Sequence, residues 1–550
     1  MSTTPGSPEY LDGPNDGSSP GSSPGGSAHA GDHDPGNDNR KRLIALGAIV
    51  AGGAVVAGGA WAATSFFATG AQPAQALPAS TIAYMSVDLD PSGGQKIEAI
   101  KMLRKFPAFA DRVNLETDDD LRERFFEEII KSGECEGLDY AEDVKPWAGS
   151  RAAIAAVDLG EDEPTPVGVF QVTDAGKAED GMATLNETCG GAEGSGDEAG
   201  GWVVDGDWMV VAETEEIAQQ VLDATDSGTL ADDAAFGEWT GEAGDDGFMT
   251  MYVAKAAAQY LDDAAGMGAM LGGMSADGEQ VPDELQELID SFDGAAATVR
   301  FDDGAVEVEY AMSNYQEDMT KYIDNETGVD MVTSLPADTV AAMGLGLEEG
   351  WAGALLDYVK KSIPDEAATI DEQLAQFEDE TGLAFPEDVE TLLGEGVTIS
   401  VGSGIDPDAI TNGGPGEIPA GIRIKGDADE IQTVLDKISD LAGPEAAEFL
   451  DVSEGDGYAV LALRDDYRGK LEEGGGLGDS DDYSKVVEGD DAQTVLYVNF
   501  DADDDWLVRL TDDLGGDAEV TDNVAPLSAF GISSWVDGDV LHGMLKLTTD

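Results

Sequence analysis

The sequence predicts an α+β protein, with one N-terminal transmembrane helix followed by two related modules of mostly antiparallel sheet and covering helices. Three observations carry that prediction. Leu43 to Ala68 runs 26 residues without a charge, enough to span a hydrocarbon core of about 30 Å. The chain then repeats itself. Gly137-Leu138-Asp139-Tyr140-Ala141-Glu142-Asp143-Val144 aligns without a gap on Gly382-Leu383-Ala384-Phe385-Pro386-Glu387-Asp388-Val389, at an offset of 245 residues, and each copy reaches a glycine five residues on, Gly149 and Gly394. Leu77-Pro78-Ala79-Ser80-Thr81 is answered by Leu335-Pro336-Ala337-Asp338-Thr339 at an offset of 258. Two anchors in one order, at nearly equal offsets, indicate a duplicated module. Third, hairpins follow one another through helices without regular βαβ alternation, which favours antiparallel sheets.

The elements follow in chain order. Residues 1–39 are rich in Pro, Gly, Ser and Asp, with few large apolar residues besides Tyr10 and Leu11. Such a segment buries too little surface to offset its ordering entropy, so 1–42 is expected to be a disordered tail. Arg40-Lys41-Arg42 borders the apolar run, and the next basic residue downstream is Lys96. The positive-inside rule therefore places the tail in the cytoplasm, 43–68 across the cell membrane, and everything after about Thr69 outside. A signal peptide cleaved near Ala76 is the alternative, since Ala74-Gln75-Ala76 has the small-x-small form. The 42-residue lead and the long apolar run argue for an uncleaved anchor.

The first module is expected over 77–330 and the second over 335–550. Thr81–Val87 alternates as a strand, and Lys96–Phe106 and Leu121–Ser132 have helical spacing. Strands at Arg151–Leu159 and Val167–Thr173 precede a helix at Lys177–Glu187. Trp202 to Val211 is a hairpin turning at Asp205-Gly206, followed by a helix over Glu213–Ala224. Ala295–Phe301 and Ala305–Met312 form a further pair. In the second module Val397–Gly402, Gly421–Lys425, Ala459–Leu463 and Val495–Phe500 read as strands and Asp429–Leu441 as a helix. Phe530–Val536 and Val540–Leu547 close the chain through Asp537-Gly538. Gly190–Gly201, Gly266–Gly278, Thr411–Gly416 and Glu472–Asp482 read as loops. The second of these carries Met267, Met270, Leu271 and Met274, which suit a core-covering helix or a mobile apolar flap.

The start Leu77-Pro78-Ala79-Ser80-Thr81, the stretch Val87-Asp88-Leu89-Asp90-Pro91, Lys105-Phe106-Pro107 and Asp143-Val144-Lys145-Pro146-Trp147-Ala148-Gly149 resemble a family of membrane-anchored bacterial proteins, mostly actinobacterial, whose shared region is a domain of unknown function. The resemblance covers nearly everything after the anchor. It implies architecture and localisation and brings no activity. Glu390-Thr391-Leu392 stands in the second module where the first has Lys145-Pro146-Trp147, so a site built on that run would occur once.

Charge and composition narrow the chemistry. With 114 acidic and 28 basic residues the formal net charge is -86. That balance opposes nucleic acid and anionic lipid, whose binding needs a basic surface. Calcium loops are tested and fail. After Asp88-x-Asp90-x-Ser92-Gly93 the twelfth position is Ala99, and Asp501-x-Asp503-x-Asp505 has Trp506 where the loop needs glycine. Diffuse, weak binding of divalent cations stays compatible with the acidity. The three histidines are His29, His33 and His542, and only the last lies outside the membrane. No His-Glu-x-x-His, Ser-x-x-Lys, Gly-x-Ser-x-Gly or phosphate-loop signature is present. The expectation is no catalytic residue, no cofactor, no metal and no enzyme, although so many carboxylates leave a glycosidase pair open.

Cys135 and Cys189 are candidates for one disulfide in an oxidising compartment, closing a loop of about 54 residues and worth about 4 kcal/mol. Two unpaired thiols are the other reading. Asp143, Pro146 and Trp147 form either a recognition surface or a packing corner before the Arg151 strand, and Asp143 and Asp388 suit helix-capping or turn positions. The functional expectation is a non-enzymatic, single-pass extracytoplasmic protein with an unknown protein or envelope partner. A carrier of an apolar envelope ligand such as lipid, and a carboxylate-based cell-wall glycan hydrolase, are the alternatives. Because the distinctive residues occur once, function is expected in the first module or at the seam between the two.

Overall fold

The computed structural model describes residues 72–88, 94–113, 120, 122–123, 126, 137–161, 163–189, 200–260, 291–302, 304–313, 320–323, 325–362, 367–406, 415–443, 447, 449–488, 492–514 and 516–550. The tail, the apolar run 43–68, Cys135, most of the helix expected over 121–132, and the Met267–Met274 segment lie outside the described residues. Among the described residues no helix is long and apolar enough to cross a membrane.

Among the described residues, eight strands build the first module: β1 (Thr81–Asp88), β2 (Ala148–Val157), β3 (Thr165–Val172), β4 (Gly201–Asp205), β5 (Trp208–Ala212), β6 (Met249–Ala254), β7 (Gly294–Asp302) and β8 (Ala305–Ser313). Eight more build the second: β9 (Thr339–Gly346), β10 (Gly396–Gly402), β11 (Ala420–Ile424), β12 (Ser453–Gly455), β13 (Tyr458–Ala462), β14 (Thr494–Asn499), β15 (Leu527–Asp537) and β16 (Val540–Thr549). Counted outward from β8, the first module runs β8-β7-β6-β1-β2-β3-β5-β4. Counted outward from β16, the second runs β16-β15-β14-β9-β10-β11-β13-β12. The two orders are one order, so the repeat read in the sequence is a repeat of topology.

The modules join edge to edge. β8 pairs with β16, making one sixteen-stranded sheet in which every pairing is antiparallel. An open sheet seldom exceeds about ten strands; here fusion of two eight-stranded halves reaches that size. The first residue of β8, Ala305, faces Thr548, while the first residue of β16, Val540, faces Ser313, the last of β8. Each strand thus meets the other as two copies of one chain meet across a two-fold axis, residue i on j and j on i.

Local chemistry is copied as well. The Thr81 hydroxyl donates to the Pro78 carbonyl at 2.7 Å, and the Thr339 hydroxyl donates to the Pro336 carbonyl at 2.7 Å. Each module therefore enters its first strand from the same side-chain-closed turn.

One face of the sheet carries Tyr84, Ala155, Tyr252, Ala296 and Ala311, packed under the helices α4 (Glu215–Ala224) and α5 (Ala234–Glu242) through Ala218, Val221 and Trp239. The same face of the second module carries Ala342, Val460, Val495 and Tyr497. There α6 (Thr327–Thr333), α11 (Asp465–Glu473) and α12 (Asp481–Val486) cover it through Val332, Tyr467, Leu471, Tyr483 and Val486. On the opposite face of the first module, α1 (Gly94–Leu103) and α2 (Pro107–Val113) place Ala99, Met102, Leu103 and Phe109 on Val299 and Phe301. Farther out, α3 (Ala175–Cys189) covers Val172, Met209 and Val211. In the second module α10 (Ala428–Ala442) covers Ile424 and Leu461 through Ile431 and Leu435. The stretch expected as a loop over Glu472–Asp482 instead holds the end of α11, a short 3-10 turn at Leu477–Asp479 and the start of α12. Its glycines permit close packing: a Cβ on Gly475 would lie 2.5 Å from the Pro336 Cα, and one on Gly478 would lie 2.7 Å from the Thr333 Cβ.

Candidate functional site

Tyr140–Val144 forms a single π-helical turn that opens the corner containing Asp143, Pro146 and Trp147. The Asp143 carboxylate accepts the Asp139 N–H at 2.8 Å, and the Asp139 carboxylate accepts the Glu142 N–H at 3.0 Å. Trp147 is buried, and its indole N–H donates to the Asp143 carbonyl at 2.6 Å. The ring lies against Gly181 of α3, where a Cβ would fall 2.0 Å from the indole nitrogen. Pro146 is half-buried. Lys145 sits 3.6 Å from Asp120 and 5.8 Å over the Tyr140 ring. Arg122 also grips Asp120 with two bonds of 2.8 Å. Burial raises the Asp120 pKa, but the bonds and charge of Arg122, with Tyr140 and Lys145, outweigh it and hold the carboxyl below its ordinary range. These contacts brace the turn from within, and Trp147 presents its ring inward.

The second copy keeps the backbone part. The Asp388 carboxylate accepts the Ala384 N–H at 2.7 Å, the counterpart of the Asp139 bond, and it takes Lys437 of α10 at 2.8 Å. Cys189 ends α3, whereas the pairing of Cys135 with Cys189 lies outside the described residues.

The seam carries the densest charge. Glu307 on β8 is buried between Arg300 of β7 at 2.8 Å and Lys546 of β16 at 2.7 Å. Arg300 reaches Glu309 at 2.6 Å, and Lys546 also pairs with Glu488. One network therefore crosses from module to module. Gly543 faces Tyr310, and a Cβ there would lie 2.2 Å from the phenol ring, so glycine lets the two strands close over it. His542 is buried on β16, stacked on Trp535 at 5.3 Å, with Glu242 at 3.7 Å. Among the described residues no group of three His, Cys, Asp or Glu is arranged to hold a metal ion.

A second feature was not expected from the sequence. Ile422, Ile399, Met343, Leu496 and Ile532 are successive register partners across β11, β10, β9, β14 and β15. They form an apolar row spanning roughly 19 Å at about 4.8 Å per strand. At its centre Met343 is 43% and Ile399 46% exposed. The helices α7 (Trp351–Ser362) and α8 (Ala367–Thr381) of this module leave Leu355, Tyr358, Val359 and Phe377 exposed. The corresponding register pair of the first module, Met85 and Ile154, is half-buried. Alternation in β9 and β10 gives the face of these residues, but no local signal says that the face stays open.

Comparison with known proteins adds the following. The profile of a family described as Protein of unknown function (DUF3352) matches residues 44–401. No curated protein matches the chain. Two solved structures, crystal forms III and IV of TP0453, are similar at 6% and 8% identity. They cover 45% and 47% of this chain and 81% and 84% of their own, each with a TM-score of 0.21, a likeness too slight to carry a fold argument.

Proposed function

The chain belongs to the DUF3352 family of proteins of unknown function, and on that premise we propose that it is a membrane-anchored, extracytoplasmic, non-catalytic interaction protein. In this reading Leu43–Ala68 is the anchor and the two modules act as one rigid platform. The family match begins at residue 44, inside the apolar run, which supports the run being part of the shared design. The observation that carries the platform is the seam: the modules meet strand to strand along nine register pairs, with the Glu307–Lys546 ion pair across them. The partner-facing surface is the open apolar row of the second module, because large exposed apolar patches mark interaction sites.

A photo-reactive residue at Ile399 of the full chain in native membranes tests the reading, with a control at the exposed Gly160. The expected result is a discrete protein adduct from Ile399 alone. Equal labelling from both positions would sink it. Epitope tags at the two ends test the topology. The C-terminal tag should be reached on intact cells and the N-terminal one only after permeabilisation; a protected C-terminal tag refutes the anchor.

The exposure of Met343, Ile399, Leu355, Val359 and Phe377 also favours a second reading, a carrier of an apolar envelope ligand. Native mass spectrometry of the detergent-purified full chain should then show co-purified lipid, lost in Ile399→Glu. A ligand-free chain eliminates this reading.

A further inference from the structure

Among the described residues, basic side chains buried in this fold are matched by carboxylates, with one exception. Arg151 faces Asp88 at 3.4 Å, and Arg300 and Lys546 share Glu307. Arg423 on β11 is 0% exposed, and among the described residues no carboxylate bonds to it. Its guanidinium carbon lies over the Tyr458 ring, 4.0 Å from the centroid. Nη1 donates to the carbonyl and the hydroxyl of Ser334, at 3.1 and 3.0 Å. Nε and Nη2 have no partner within the protein. They are the two groups of one guanidinium edge, the fork that otherwise grips a carboxylate. Directly across the strand pair stands Thr398 of β10, register partner of Arg423, with its hydroxyl also buried and unpartnered. Opposite positions on one face hold their Cβ atoms about 5 Å apart.

Charge decides what suits this cluster. Asp456, exposed on the turn between β12 and β13, acts on Arg423 only through space. Burial draws the guanidinium pKa down from its ordinary value, yet arginine stays charged in proteins. A buried charge left unpaired costs several kcal/mol. A neutral group bonded to the free edge would satisfy the donors and leave the charge, whereas an anion does both. Full burial under the sheet's helix layer limits the anion to a small one.

We propose that the second module binds a halide-sized monovalent anion in its core, between the free Nε–Nη2 edge of Arg423 and the hydroxyl of Thr398. Among the described residues the first module has no counterpart, so the site belongs to the diverged part of the duplication. With a net charge of -86, any salt stabilises this protein by screening self-repulsion, so the test holds ionic strength constant. Bromide or chloride replaces gluconate stepwise while thermal unfolding of the full-length protein is followed. The expected result is a saturable rise in unfolding temperature with halide, the signature of binding to the native state, together with broadening of the chloride-35 NMR line. Thr398→Val removes one hydrogen bond to the ion and should weaken the apparent halide affinity about tenfold. Arg423→Met should abolish the halide response. Equal stability in gluconate and halide, or an undiminished response in Arg423→Met, overturns the proposal. If Arg423→Met does not fold, bromide-soaked crystals of the unmodified protein decide the matter. An anomalous peak between Arg423 and Thr398 supports the site; bromide elsewhere only, with water at that edge, overturns it.

Discussion

Gly181 distinguishes a packing corner from a recognition surface at Trp147. Glycine sits inside α3, where exchange for alanine ordinarily stabilises a helix by about 1 kcal/mol. The geometry reverses that sign. A Cβ on Gly181 would lie 2.0 Å from the Trp147 indole nitrogen and 2.7 and 2.8 Å from two ring carbons. All three distances are below any real contact, and the ring cannot swing outward without leaving the Asp143 carbonyl, 2.6 Å away. Overpacking costs about 1–3 kcal/mol and the lost hydrogen bond about 1 kcal/mol. Against the helix gain, Gly181→Ala should lose roughly 2 kcal/mol. Gly237 in α5 is the control: a Cβ there meets nothing within 4 Å, so Gly237→Ala should gain about 0.5–1 kcal/mol. Urea denaturation followed by near-UV circular dichroism reads both, and Trp147→Phe in the Gly181→Ala background should restore part of the loss. Stabilisation by Gly181→Ala similar to that of Gly237→Ala would refute the reasoning and release Trp147 for a surface role.

Three further outcomes are expected. Glu307→Gln removes the buried centre of the seam network; each cation keeps one other carboxylate, so the loss should be about 3 kcal/mol, near the low end for a broken buried pair, with faster amide exchange in β8 and β16. No measurable change in either would show the network to be incidental. Burial lowers the Lys546 pKa, but its bonds to Glu307 and Glu488 and their charges raise it overall. Its stabilisation is therefore full below the unfolded lysine pKa of about 10.4 and fades as pH rises through the folded value. Alkaline titration of Lys546→Met should lack that component. Burial also raises the Asp501 pKa, Ser528 opposes it, and Asp550 adds to it; its contribution is complete below the unfolded carboxyl pKa and is lost as pH rises through the folded one. Asp501→Asn should thus be more stable than the parent at pH 7 and equal to it in strong acid. Equal stability at pH 7 removes that argument.

Strand pairs closed by Asp-Gly turns were legible because the signal lies within one hairpin. Trp202 to Val211 and Phe530 to Leu547 fall in β4–β5 and β15–β16 with ends shifted by one to three residues. The turn role of Asp143 and Asp388 was legible for the same reason: each closes onto a backbone N–H four residues back. The seam was not. In β8, Val306-Glu307-Val308-Glu309 alternates like an edge strand with its acids in water. Alternation gives the faces of a strand and says nothing of which edge is paired. Glu307 is buried because Lys546, far away in sequence, supplies a cation on the strand beside it. The openness of Met343 and Ile399 was hidden likewise, since it depends on how far α7 and α8 cover the sheet.

The symmetry of the seam bears on where function diverged. Glu309 faces Met544 at the centre of the β8–β16 pairing, the positions nearest the two-fold axis, and they hold an acid and a thioether. The axis relates backbones while the side chains on it already differ. Contacts across it differ too: Lys105 beside α2 bonds Thr549 at 2.9 Å, and the Ala108 N–H bonds Asn523 at 3.0 Å. These fasten the first module's helices onto the second module's end. Such fastening, with Ala99, Met102 and Phe109 closing over the first module's sheet, makes that module the sealed half. The buried Trp147 ring packs within that module's core. The second module leaves open the row through Met343 and Ile399, where the first has the half-buried Met85 and Ile154, and it encloses Arg423, which has no equivalent among the described residues of the first. Function was expected in the first module or at the seam; we propose instead that the working surface lies in the second module, where the open row and the carboxylate-free Arg423 are found.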